Sequence, residues 1–105
     1  MTEKMHVEGV FILGTLNVVV EVDAGACTLV GYSKRELVGM HGSELILPDD
    51  QPATAASIDS MRRGKATFRT GHMRCKDGSV IGVEVRAQPL PDGRLALRVR
   101  RLPSP

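Results

Sequence analysis

Apolar residues recur at every second position towards both ends of the chain and at helical spacing in the middle. At the front, 7–13 reads as a strand with Gly9 as a flexible point, 14–17 as a turn, and 18–22 as a second strand, β-branched at four of its five positions. Strict alternation puts Val18, Val20 and Val22 on one face and Val19 and Glu21 on the other. The period then changes. Ala24, Ala26, Cys27, Leu29 and Val30 give a short helix an apolar body, and Gly31 ends it in the left-handed conformation that glycine takes without strain. Ser33 restarts the chain as an N-cap, with Glu36 at capping-box spacing, Leu37 and Val38 as the apolar face and Gly39 as the stop. Met40-His41-Gly42 reads as a linker, and Ser43 as the cap of one turn over 44–47. Pro48 suits the start of a longer helix, with Asp49 and Asp50 at its positive end. Ala53, Ala56, Ile58 and Met61 supply its stripe, Arg62 and Arg63 its negative end, and Gly64 its close. Alternation returns at 66–75, 80–90 and 94–101. Ile81, Val83, Val85 and Ala87 oppose Glu84, Arg86 and Gln88, and Leu95, Leu97 and Val99 oppose Arg94, Arg98 and Arg100. Asp77-Gly78 and Asp92-Gly93 are the hairpin turns between them.

Two strands, several short helices and three strands make an α+β domain whose antiparallel sheet is covered on one face only. With 105 residues, 42% of them hydrophobic and 25% charged, the chain has room for one domain, expected over 7–101, with a flexible N-terminus at 1–6 and a flexible tail at 102–105. A net charge of +2 is too small to argue for nucleic acid. The longest near-apolar stretch, 10–22, is broken by Gly14, Thr15, Asn17 and Glu21, so no membrane span is expected. The N-terminus lacks an apolar signal region, and Cys27 and Cys75 form no metal or disulfide framework by spacing. The expectation is two free thiols in a cytoplasmic domain.

The run from Asp23 through Gly31-Tyr32-Ser33, Glu36-Leu37 and Gly39 resembles the signature of PAS domains. Pro48-Asp49-Asp50 is similar to the motif that opens the long PAS helix, and Lys76-Asp77-Gly78-Ser79 to the hairpin turn that follows it. Order and spacing agree from about residue 7 to 101. The resemblance implies a five-stranded antiparallel sheet in the order 2-1-5-4-3, short helices across its inner face, and the last strand pairing with the first. Asp23 stands where the family usually has Asn, so it can cap the helix but cannot donate a hydrogen bond.

Little in the sequence points to catalysis. His6, His41 and His72 are scattered, no nucleophile or phosphate-loop motif occurs, and Asp49-Asp50 reads as helix-start charge. The flavin-binding relatives that form a cysteine adduct carry a Cys where this chain has 39–47, which contains none, and haem-binding relatives commonly use a His on the long helix, absent from 48–63. There is no Trp to wall a flavin. Neither cofactor is expected; a packed core is the first reading between sheet and helices, and a cavity for a small apolar ligand the second. Its walls would be Leu29, Leu37, Ile46, Ile58, Met61, Met73, Val83, Val85, Leu95 and Leu97, although a filled core needs the same residues. Cys27, on the apolar part of its helix, reads as a buried structural thiol, and Cys75, at a strand end where Lys76 would favour a thiolate, still reads as inert.

The resemblance implies a non-catalytic sensory or interaction domain, bacterial in style, that relays ligand or partner binding to an attached effector. Histidine kinases, cyclase-type output domains and transcription regulators are such effectors in the family. Short flanks suit a piece of a multidomain signalling protein or a minimal module. A homodimer through the outer sheet face or the termini is expected. The alternatives are a ligand-free dimerisation module and a sensor using Cys27, Cys75 or a His72 metal site.

Overall fold

β-Branched and alternating segments pair, and the glycine-punctuated middle folds across them. The computed structural model describes residues 7–103. It contains strands β1 (Glu8–Leu13) and β2 (Val19–Val22), helices α1 (Ala24–Val30), α2 (Lys34–Leu37) and α3 (Gln51–Arg62), and strands β3 (Thr67–Arg74), β4 (Val80–Pro89) and β5 (Leu95–Arg101). All strand pairs are antiparallel, and the sheet order is β2-β1-β5-β4-β3. The last strand joins the halves, from Glu8↔Arg100 to Leu13↔Leu95. The fold is the one the sequence implied. The flexible N-terminus expected at 1–6 lies outside the described residues, as does 104–105 of the tail. Leu102 still donates to the Gly82 carbonyl at 2.9 Å.

Asp23 caps α1, with Oδ1 accepting from the Ala26 amide at 2.8 Å and from the Val10 amide at 2.9 Å. An oxygen with no hydrogen to donate thus ties the helix to β1. Gly31 ends α1 at φ 79°. The Ser33–Glu36 capping box opens α2, with bonds of 3.1 and 2.9 Å.

Four local expectations are corrected. In β2, Val19 and Val22 point inward while Val20 is 42% exposed. A bulge causes this: Ile12 pairs with Glu21 but Leu13 with Val19, so Val20 is the extra residue and the alternation flips across it. Residues 39–41 are more than a linker, because they cover the free edge of β2 through Val19 N–H to Met40 O and Gly39 N–H to Val19 O, both 2.8 Å. The next turn is Gly42–Leu45, capped by His41 and not Ser43: His41 Nδ1 accepts from the Ser43 amide at 3.2 Å, and Glu44 accepts from the His41 amide at 2.8 Å. It ends early because Ile46 is bridged to Met73 of β3. Finally, Pro48–Asp50 forms a separate 3₁₀ turn before α3, and Ala53 and Ala56 face solvent. Buried Met61 sets the phase of α3, and the residues three, four and seven positions before it, Ile58, Ser57 and Thr54, share its face.

Candidate functional site

Two helices cover the inner sheet face in different ways. Under α1 the backbones touch: a Cβ on Gly9 would lie 2.2 Å from the Ala26 nitrogen, and one on Gly25 would lie 1.9 Å from the Glu8 oxygen. Under α3 a cavity of about 270 Å³ remains between the sheet and a helix face that includes Thr54, Ala55, Ser57, Ile58 and Met61. Its floor is Phe11 and Leu13 of β1, Val83, Val85 and Ala87 of β4, and Leu97 and Val99 of β5. Leu45, Ile46 and Met73 close one side. The mouth is polar, with Asn17, His41, Ser43, Gln51, Thr54, Arg69 and His72.

Polar ties hold α3 over this gap at both ends. At its start, the Asp50 carboxylate makes no cap bond to its own helix. It reaches β3 instead, accepting from the His72 amide at 2.8 Å and lying 3.1 Å from His72 Nδ1. Arg69 donates to Thr54 Oγ1 at 2.6 Å. At its end, Arg62 donates to the Gly93 carbonyl at 2.7 Å, the Gly14 carbonyl at 3.0 Å and Asn17 Oδ1 at 2.9 Å. The arginine therefore spans the β1–β2 and β4–β5 turns, a role that its place near the helix C-terminus did not announce. The turn it grips is strained, with Leu16 and Asn17 at φ 61° and 62°.

Of the ten wall residues expected from the sequence, Ile46, Ile58, Met61, Met73, Val83, Val85 and Leu97 line this cavity. Leu29 lies instead beside a shallow depression near Cys75 and Lys76. Leu37 and Leu95 are buried in the core and do not line the cavity. The sequence reading missed Phe11, Leu13, Thr54 and Arg69. Strand parity could have found the last: Arg69 and Met73 are four apart on β3 and share its inner face.

The burial expected of Cys27 is found at Cys75 instead. Cys75 is buried, with Sγ 3.7 Å from the Leu29 carbonyl oxygen, whereas Cys27 is half-exposed. Lys76 turns away from the thiol to Glu36, with Nζ 2.6 Å from Oε2, and that hydrogen bond is the main reason the Glu36 carboxyl sits below its usual range. Neither cysteine lines the cavity. Among the described residues no group of three or more His, Cys, Asp or Glu side chains is placed to hold a metal.

On the outer sheet face the arginines share carboxylates. Arg100 and Arg86 both approach Glu84, at 3.1 and 3.6 Å, and Arg100 above all lowers the Glu84 pKa. The Arg86 guanidinium sits 5.2 Å from the centroid of the Phe68 ring, which is 57% exposed. Among the described residues, no helix is long and apolar enough to cross a membrane.

Solved structures share this fold. A domain of a sensory box sensor histidine kinase/response regulator from Geobacter sulfurreducens superposes with a TM-score of 0.79 at 25% identity, over 91% of this chain and 83% of that one. The PAS domain of an HTR-like protein from Haloarcula marismortui gives 0.77 at 21% identity, over 90% and 81%. A blue-light activated histidine kinase from Erythrobacter litoralis gives 0.79 at 15% identity, over 93% of this chain and 34% of that one. No curated protein sequence matches significantly. The family model described as the PAS fold matches residues 19–97, most of the chain, and the chain belongs to that family.

Proposed function

We propose that this PAS domain is a non-catalytic sensory module that takes a small, largely apolar molecule under α3 and passes the resulting repacking to an attached effector. The cavity carries this reading. An apolar floor with a polar mouth is the usual make-up of a small-molecule site. The helix above it is held by hydrogen bonds at its ends and by few side chains between them, so a guest can shift it without breaking the core. The similarity to a domain of a sensor histidine kinase favours a kinase as the effector. The cavity walls offer no thiol for a flavin adduct, and a volume of about 270 Å³ lies below the roughly 300–1,000 Å³ of sites for larger ligands, so a small organic guest suits the site better than a flavin or haem.

Methyl NMR of Met61 and Met73 during titration with a small-molecule fragment set tests the proposal. At least one compound should shift both methyls in the wild type and neither in Val85→Phe, which fills the cavity. A set that shifts neither methyl overturns it.

The outer sheet face supports a second role, pairing with another copy of the chain. Phe68 stands exposed there, with Arg86 against its ring. Sedimentation should show a concentration-dependent dimer that Phe68→Glu abolishes. A monomer at all concentrations removes this reading.

A further inference from the structure

Among the described residues, Arg69 is the one side chain on the cavity wall that is always charged, and no Asp or Glu lines the cavity with it. It sits on the inner face of β3, half-buried, at the mouth. Its three hydrogen bonds all go to neutral oxygens: the Thr70 carbonyl at 3.0 Å, Thr54 Oγ1 at 2.6 Å and the Asp50 carbonyl at 3.4 Å. Asp50, whose carbonyl Arg69 reaches, turns its carboxylate to His72. None of the ion pairs among the described residues includes Arg69. A guanidinium has five N–H donors in a planar fork. Here Nη2 is fully occupied, while Nε and one hydrogen of Nη1 have no acceptor among the described residues.

The neighbouring backbone makes room for this group. A Cβ on Gly71 would lie 2.7 Å from Arg69 Nη1 and 3.4 Å from Cζ, so the guanidinium rests against bare backbone. Beyond it the wall turns apolar at once, with Met73, Ile58 and Val85. A half-buried cation without a counter-ion at the rim of an apolar cavity is an incomplete pair. A guest that completes it has an anion at one end and hydrocarbon at the other.

We infer that the cavity's ligand is a small amphipathic carboxylate, its apolar body under α3 and its carboxylate hydrogen-bonded to Arg69. This rests on the cavity's being the ligand site and adds the class of ligand. Charge-assisted hydrogen bonds from guanidinium to carboxylate are among the stronger polar contacts available to such a guest. His72 at the same mouth adds a second donor only when its ring is protonated, because its Nδ1 already faces Asp50.

The test compares octanoate with 1-octanol on the whole chain, by calorimetry with the Met61 and Met73 methyls as a position check. At neutral pH octanoate should bind at least about tenfold more tightly than the alcohol, the size expected of one charge-assisted bond. Arg69→Gln should erase the preference, and Arg69→Lys should keep part of it. Equal binding of the two by the wild type overturns the carboxylate inference and leaves the cavity reading standing. If neither binds while other fragments shift the methyls, the inference again falls alone. If nothing at all binds, both readings fall. The wild-type comparison decides the matter even where a variant does not fold.

Discussion

α1 and α3 lie on the same sheet face, yet one is welded to it and the other suspended above it. Under α1, Gly9 and Gly25 bring two backbones into contact, Ala26 is fully buried, and Asp23 bonds helix and strand with one oxygen. Under α3, larger side chains stand between helix and sheet and do not fill the space. Polar groups at the two ends of α3, Asp50 and Thr54 at one and Arg62 at the other, replace the missing apolar contact. A close-packed interface transmits strain, whereas a bridged gap absorbs a guest. The division of labour between frame and sensor therefore follows from residue size at a handful of positions.

The sharpest way to break this contrast is to add bulk under α1. Gly25→Val should cost about 3 kcal/mol or more, because its Cβ meets the Glu8 carbonyl backbone, which cannot swing aside as a side chain would. Urea denaturation measures it, and a loss below about 1 kcal/mol would mean the interface is looser than described. The matched pair Ala26→Val and Val85→Ile comes next. The two added carbons at Ala26 should cost about 2 kcal/mol, while the one added carbon at Val85, on the cavity floor, should be neutral or stabilising by up to about 0.8 kcal/mol. Equal costs would deny that the two sides differ in packing.

Arg62→Met sharpens the comparison from the other direction. Three hydrogen bonds disappear and the apolar stem remains, so about 1.5 kcal/mol should be lost. Amide exchange should quicken in α3 and not in α1. Arg62→Lys should not restore the loss, since an ammonium cannot span three acceptors in a planar fork. Uniform exchange across both helices would contradict the end-clamp account.

The smallest effect is on pH. Glu36, Asp77, Glu84 and Asp92 all have folded pKa values below their ordinary ones, through bonds first to Lys76, Ser79, Arg100 and the Arg94 amide respectively. A carboxyl of lowered folded pKa stabilises the fold above its unfolded pKa and loses that contribution as pH falls through the folded value. Stability should therefore be flat above about pH 5.5 and decline below the ordinary values of 4.5 for Glu and 3.8 for Asp. None of the four residues lines the cavity, so affinity for an uncharged guest such as 1-octanol should not follow the same curve. An affinity that tracked it would couple the two regions.

Much of this architecture is written locally. The Ser33–Glu36 box, the Gly31 stop, the Asp77-Gly78 turn and the alternation of β4 and β5 depend on residues within four positions of one another, and periodicity exposes them. The sheet order came with the family resemblance, as did the expectation of a pocket. Long-range geometry decided the rest. The bulge at Val20 exists because β1 and β2 pair in two registers, and no single strand's pattern contains that. Helix α3 takes its phase from the burial of Met61, so its alanines face water although they look apolar in the sequence. Arg69, Asp50 and Arg62 found hydrogen-bond partners 15, 22 and up to 48 residues away. Whether seven apolar walls enclose a core or a cavity depends on how far α3 stands from the sheet. The sequence by itself determined the elements, because each is closed by near neighbours. Only the tertiary structure decided the cavity and its unpaired charge, because both are properties of the space between elements.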